Sequence, residues 1–388
     1  MDRLTVLIAP DKFKGSLEAE AVARAIAAGW RAARPTDTLI ECPVSDGGDG
    51  FGRLIADRRG GKRMVTPVSN AAGERISASW WWEASDQVAI VEAAQANGLA
   101  QLPRGRFHPF HLSTFGVGEL ILEAIRHHPR RLLIGVGGSA TNDAGFGLAR
   151  ALGWRFLDAT DTPIESWTRL TSLRRLLEPA PSPKPSGLSI EVAVDVQNPL
   201  LGKNGCSAIY GPQKGLKADE IPAADAALSQ LAMVVESTLG GGLATVPGAG
   251  AAGGLAYGFA AFAGASIHPG FAQFAALTGF DAALAQADLV VTGEGQIDES
   301  TWMGKAAGEV ASQAAARRIP CLAVAGQARR SMTTPRFRAI QSLAPEMTSV
   351  EEAIQHPSLW VERAAAALAR RLDGLECGPI PMLDRIGE

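Results

Sequence analysis

A strand that runs straight into glycines and then into a polar cluster constrains this chain more than any other feature. Leu132, Leu133, Ile134 and Val136 read as a short buried strand. Gly135, Gly137 and Gly138 let the backbone turn tightly and approach a ligand without a Cβ in the way. Ser139, Thr141, Asn142 and Asp143 then supply hydroxyls, an amide and a carboxylate, and the spacing of Phe146, Leu148, Ala149 and Leu152 predicts a helix. Strand, glycines and helix N-terminus together predict an anion site built from unpaired N–H groups. The plainer alternative is a strand–helix corner capped by Asn142 or Asp143.

At 388 residues the chain is long for one core, so two domains are expected. A net charge of −3 gives no reason to expect nucleic acid. Cys42, Cys206, Cys321 and Cys377 are far apart and form no Cys-x-x-Cys pair, so zinc and disulfides are not expected and a reducing cytoplasm is. The first ten residues are too short an apolar run for a signal peptide and read as a strand, and no stretch approaches a membrane span.

The same device recurs along the chain. Leu4 to Ala9 reads as a strand ended by Pro10. Lys12 and Lys14 follow in a loop, and Ser16 is a candidate cap for a helix with Leu17, Val22, Ile26 and Trp30 on one face. A second strand, from Leu39 to Val44, runs into Asp46 and Asp49 among three glycines. That group could bind Mg²⁺, accept a proton or only shape a turn.

Residues 62–95 alternate apolar and polar, which suggests a more antiparallel region, with Trp80, Trp81 and Trp82 as packing. Ser113 and Thr114 read as caps, and residues 158–187 as a surface connection. A strand beginning at Leu188 delivers Asp195 near its carboxyl end, where ligands of open α/β sheets collect. Residues 201–215 read as another glycine- and lysine-bearing loop segment. Gly248, Gly250 and Gly253 match G-x-G-x-x-G at the opening of a small-residue helix, without the strand before or the acid after that a dinucleotide fold requires. A strand near residue 290 runs into Glu294 and Asp298, and residues 320–326 form the last clear strand.

Glycine-rich strand–helix junctions suit a polyphosphate, lysines an acidic acceptor, and carboxylates a metal; phosphoryl transfer asks for little else. Walker A is absent, because none of the Gly-Lys pairs at 61, 202 and 304 has the required neighbours, and protein-kinase, zincin and Gly-x-Ser-x-Gly motifs are absent too. The residues alone reach a ligand-binding α/β enzyme, with nucleotide dependence as an open reading.

Seven blocks, taken together, resemble the bacterial glycerate kinase family of the glycerate 2-kinase type. They are Ile8-Ala-Pro-Asp-Lys-Phe-Lys-Gly-Ser-Leu17, Pro43-Val-Ser-Asp-Gly-Gly-Asp-Gly50, Gly135-Val-Gly-Gly-Ser-Ala-Thr-Asn-Asp143, Asp195-Val-Gln-Asn-Pro-Leu200, Gly211-Pro-Gln-Lys-Gly215, Pro247-Gly-Ala-Gly-Ala-Ala-Gly-Gly254 and Thr292-Gly-Glu-Gly-Gln-Ile-Asp298. The resemblance spans nearly the whole chain in the family's order. This sequence departs from the family pattern at Lys12, Asp49, Gln197 and Gln296, where Ser, Glu, Asn and Arg are common. The first could add positive charge at the acceptor; the last could remove a contact to phosphate or carboxylate.

The resemblance implies ATP- and Mg²⁺-dependent phosphorylation of D-glycerate to 2-phosphoglycerate by a cytoplasmic monomer or homodimer. It implies an α/β fold of two domains with a cleft between them. One is flavodoxin-like with a parallel sheet (residues 1–75 and 275–388); the other, residues 76–274, has a mixed sheet.

On that reading Lys14, Lys12 and Ser16 hold the acceptor carboxylate, and Asp46 also faces the substrate. Asp195 is the first choice of base and Asp46 the second. Gly137, Gly138, Ser139, Thr141, Asn142, Gly250, Gly253 and Gly254 cradle ATP phosphates, and Asp49, Glu294 and Asp298 are the Mg²⁺ candidates. The rival readings are a kinase acting on a related hydroxy acid or on the 3-hydroxyl, a catalytically silent sugar-acid sensor, and a dinucleotide-dependent oxidoreductase.

Overall fold

The structure, a computed structural model, describes residues 3–103, 105–329 and 336–372. Its chain divides into two compact units, one made of Met1–Ser45 with Phe274–Glu388 and the other of Asp46–Gln273. The compact units divide at 45/46 and not at the expected 75/76, which would cut the strand Arg75–Glu83 after its first residue. That strand forms an antiparallel ladder with Lys62–Ser69, from Lys62 opposite Trp82 to Ser69 opposite Arg75, so residues 62–69 cannot leave the second unit.

The first unit is built on a five-stranded sheet in which every pairing is parallel. Its strands run in the order Ala339–Ala344, Cys321–Ala328, Leu289–Ile297, Thr5–Ile8, Thr38–Glu41. Counted along the chain, this is the 2-1-3-4-5 order of flavodoxin-like sheets. Val6, Leu7, Ile8 and the first half of Leu289–Ile297 are apolar and buried because both faces of a parallel sheet are covered, and the second half of Leu289–Ile297 turns polar at Thr292, Glu294 and Gln296. Helices Ala19–Ala33 and Pro357–Arg371 bury Val22, Ile26, Trp30, Val361, Ala365 and Leu368 against Ile8, Val291 and Val324. Asp37 locks the end of the first helix. It accepts from Trp30 Nε1 at 3.0 Å and Arg34 Nε at 2.7 Å, and both members of the Arg34–Asp37 pair are buried.

The second unit carries a six-stranded mixed sheet: Ser266–Pro269, Ser189–Val194, Arg131–Gly135, Val88–Glu92, Arg75–Glu83, Lys62–Ser69. The first four strands are mutually parallel and the last two are antiparallel additions, as the alternation over 62–95 predicts. Ile134, Val192, Leu148, Leu231, Tyr257 and Phe259 belong to one continuous core. The tryptophan run is packing: Trp80 is fully buried, with Nε1 donating to Thr66 at 3.1 Å, and Trp82 lies tilted against His127.

Several local expectations are corrected. Ser16 does not cap the first helix, which starts at Ala19 with Glu18 in the cap position; the Ser16 hydroxyl donates to the Phe13 carbonyl. Residues 206–214, expected as loop, form the helix Cys206–Lys214 despite Pro212. Within 158–187, Arg175–Leu177 pairs with Arg155–Leu157 in a small ladder. The strand Ala339–Ala344 was not expected: Gln341 and Ser342 interrupt its apolar run, yet both are buried there. Cys377 lies outside the described residues.

Candidate active site

In a flavodoxin-like sheet, ligands collect beyond the carboxyl ends of the strands where the strand order reverses. In the first unit that point lies between Thr5–Ile8 and Leu289–Ile297, which pair from Val6 opposite Leu289 to Ile8 opposite Val291. The loop after the first strand continues along the second: Ala9 N donates to Val291 O at 2.8 Å and Asp11 N to Gly293 O at 2.9 Å. A Cβ at Gly295 would lie 3.4 Å from Lys14 N. Lys12, Lys14 and Ser16 are thereby brought beside Glu294, with Lys14 exposed.

Glu294 is buried. Its Oε1 accepts from Thr301 Oγ1 at 2.6 Å, and its Oε2 faces the Lys305 ammonium at 3.4 Å. Asp298 closes the following turn as a capping box. Its Oδ1 takes the Ser300 N–H at 2.9 Å and its Oδ2 the Gln296 amide at 3.0 Å. Burial alone would raise the Asp298 carboxyl, but the Ser300 bonds and the positive charge of Lys305 and Arg329 carry it below its ordinary value. Asp298 thus has an evident structural task of its own.

In the second unit the loop opened by Asp46 covers three parallel strand ends. Gly137 N donates to Gly47 O at 3.2 Å, and a Cβ at Gly47 would lie 3.0 Å from the carbonyl oxygen of Ala193. Asp46, Asp49 and Asp195 therefore belong to one neighbourhood, with Asp195 just past Ser189–Val194. Asp49 Oδ1 would sit 2.5 Å from a Cβ at Gly138, so the carboxylate lies against this turn, and the left-handed φ of +78° is what favours glycine there. Glu92 ends the third strand and accepts the Gly52 N–H at 2.8 Å. Burial pushes the Glu92 carboxyl above its ordinary value, more than its backbone donors pull it down, and the charge of Asp49 adds to the rise.

The expected anion site at a helix N-terminus is not what residues 137–146 form. The helix Phe146–Ala151 is only 6 residues long, and the polar cluster before it is turned inward. Thr141, Asn142 and Asp143 are fully buried. Asn97 Nδ2 donates to Ser139 Oγ at 3.0 Å and to Thr141 Oγ1 at 3.2 Å, and Asn142 Nδ2 donates to Ser207 Oγ at 2.9 Å. Asp143 is fixed by donors from Thr114, Gly145 and Gly147, although burial still raises its carboxyl above the ordinary value. Thr114 serves Asp143 and Leu148 rather than capping its own helix. These side chains hold the loop's shape and leave its backbone to do any binding.

The second glycine segment meets that loop. Ala252, Gly253 and Gly254 are left-handed in succession, with φ of 58°, 72° and 81°, inside the helix Ala251–Ala263. A Cβ at Gly253 would lie 2.0 Å from Thr141 O, so only glycine permits the approach. Turned backbone of this kind can present N–H groups toward an anion, and the Gly254 N–H is already given to Gly250 O at 3.2 Å. Lys214, not foreseen from the sequence, donates from Nζ to Thr141 O at 2.7 Å beside the same glycine. Burial lowers the Lys214 ammonium to about 8, against an upward pull from Cys206 and Asp143. Glu92 could have been found by the signal that marked Asp195, an acid closing an apolar strand; Lys214 stood in the Gly211–Gly215 block of the resemblance, but its reading as loop attached no role to it.

Mg²⁺ takes one or two protein carboxylates, several waters and substrate phosphates. Among the described residues no three His, Cys, Asp or Glu side chains converge as a ready-made metal cage. Single carboxylates such as Asp49 and Glu294 fit the Mg²⁺ pattern and not that of a dedicated all-protein site. No helix among the described residues is long and apolar enough to cross a membrane.

Comparison with known proteins extends this picture over the whole chain. The model of the glycerate kinase family matches residues 6–373. A glycerate kinase from Halalkalibacterium halodurans is 37% identical over 369 residues, covering 94% of this chain and 97% of the relative. The glycerate 2-kinase of Escherichia coli K12 is 36% identical over 349 residues, covering 89% and 91%. A crystal structure of a Salmonella typhimurium LT2 protein provisionally named glycerate kinase 2 superposes with a TM-score of 0.78 at 34% identity, covering 96% of this chain and 99% of that one. The chain belongs to the glycerate kinase family of phosphotransferases.

Proposed function

We propose that this enzyme transfers the γ-phosphoryl group of ATP to the 2-hydroxyl of D-glycerate, with Mg²⁺, giving 2-phosphoglycerate. The observation that carries the regiochemistry is the 36% identity to a glycerate 2-kinase across 89% of the chain. A glycerate carboxylate suits Lys14, exposed at the reversal point of the parallel sheet, with Lys12 and Ser16 beside it.

The backbone at Gly137, Gly138, Ser139, Thr141 and Asn142, with that at Gly250, Gly253 and Gly254, suits nucleotide phosphates; here the side chains shape the loop and the N–H groups bind. Asp195, at a strand end, takes the role of base toward the 2-hydroxyl, with Asp46 second. Asp49 and Glu294, and Asp298 directly or through water, are assigned to Mg²⁺. When bound, the ion screens charge on the phosphates. A cytoplasmic monomer or homodimer fits this reading.

The test is ATP turnover with D-glycerate and Mg²⁺, followed by ³¹P NMR of the product. A phosphate on the 2-oxygen is expected. A 3-phosphoglycerate signal would overturn the regiochemistry, and no turnover with glycerate would overturn the substrate.

A further inference from the structure

Among the described residues of 46–273, the buried cation Lys214 has no counter-charge in contact. Lys214 closes the helix Cys206–Lys214 and is buried, and its ammonium makes one hydrogen bond, to Thr141 O at 2.7 Å. An ammonium carries three donors, and a buried charge without an ion partner is strongly unfavourable unless something completes it. What surrounds it is backbone of the Thr141 loop and of the left-handed turn: a Cβ at Gly253 would lie 2.9 Å from Nζ. The titratable groups that act on it are Asp143, whose carboxylate is taken up by Thr114, Gly145 and Gly147, and the thiol of Cys206, which burial raises to about 11.

We propose that Lys214 receives a phosphate group of the bound nucleotide where the Thr141 loop meets the left-handed turn at Ala252, Gly253 and Gly254. The inference rests on the kinase reading above. A phosphate supplies the missing negative charge, and the bond to Thr141 O holds the ammonium in place before the nucleotide arrives. This separates Lys214 from Lys12 and Lys14, which are assigned to the acceptor. With its ammonium set near 8, Lys214 is still largely charged at neutral pH, and a bound phosphate keeps it so.

The experiment compares the wild-type chain with Lys214→Met and Lys214→Arg, using calorimetric ADP titration and steady-state KM values for ATP and D-glycerate. Lys214→Met is expected to raise the ADP Kd and the ATP KM at least tenfold while moving the glycerate KM less than twofold, with partial recovery in Lys214→Arg. Its melting temperature should stay near wild type or rise, because a buried charge has gone. ADP affinity of the wild type should also fall as pH rises above about 8; this measurement decides the matter even if Lys214→Met fails to fold. A folded Lys214→Met that binds ADP like wild type, a loss confined to glycerate, or a flat pH profile overturns the inference. Wild-type chain without ATP turnover would instead overturn the kinase reading itself.

Discussion

Asp143 Oδ2 accepts both the backbone N–H and the hydroxyl of Thr114, each at 2.9 Å, across 29 residues of chain. The carboxylate also takes N–H groups from Gly145 and Gly147, so a single buried acid fixes the loop between strand and helix. Asp143→Ala would strand several buried donors, each costing about 1–3 kcal/mol. Urea unfolding is expected to show a loss of at least about 3 kcal/mol. A variant within about 0.5 kcal/mol of wild type would mean that the loop keeps its shape without this acid.

Asp195→Asn is expected to lower kcat by at least about a hundredfold if Asp195 is the base. The effect should sit in kcat and leave ATP affinity unchanged. Near-normal turnover in the folded variant would move the role to Asp46.

Lys14→Met should act on the acceptor alone. A charge-assisted hydrogen bond contributes about 1.5–3 kcal/mol, which corresponds to a rise in glycerate KM of roughly 10- to 150-fold. An unchanged glycerate KM would remove Lys14 from the substrate.

Gly253→Ala combines a left-handed φ with a Cβ only 2.0 Å from Thr141 O. Overpacking of this kind costs about 1–3 kcal/mol, and the backbone strain adds to it. Both melting temperature and ATP affinity should fall; a variant that keeps both would show that the turn can shift away from Thr141.

Asp37 provides a pH prediction whose sign can be worked out. Burial raises its carboxyl, but bonds from Arg34 and Trp30 outweigh it, and the folded value lies below the ordinary 3.8. Its contribution is therefore fully present above the unfolded value and fades as pH falls through the folded one. Asp37→Ala, which leaves Arg34 buried without this partner, should cost about 3–5 kcal/mol at pH 7. The difference from wild type should shrink below pH 3.8 in denaturant titrations; a difference constant down to pH 2 would contradict the linkage.

The glycine-bearing junctions were legible because their residue types are uncommon for reasons of backbone geometry. Gly138 and Gly253 both have left-handed φ, and at Gly253 the Thr141 carbonyl also leaves no room for a Cβ. The direction of the polar side chains was not legible. Ser139, Thr141 and Asn142 look like ligand-binding groups in a row of letters, yet each bonds to protein, and the partners Asn97 and Ser207 lie far away in sequence. Lys214 was hidden for the same reason: a lysine near glycines and a proline reads as exposed loop until a helix buries it. A boundary at residue 45 was not legible because the segment after it is held to the second unit by partners far away in sequence, Gly47 O by Gly137 N and Gly52 N by Glu92.

The parallel register of Val6 with Leu289 has a consequence for how the protein is made. The first strand leaves the ribosome long before its central neighbour exists, and the whole of Asp46–Gln273 is synthesised in between. At roughly 5–20 residues per second, the wait is on the order of tens of seconds. Throughout it, Val6, Leu7 and Ile8 have the short strand Thr38–Glu41 available and nothing on their other edge. The inserted unit can complete its own core in that time, so the order of assembly runs from the middle of the chain outward, and the loop of Lys12 and Lys14 gains its neighbour at Gly293 and Gly295 only late.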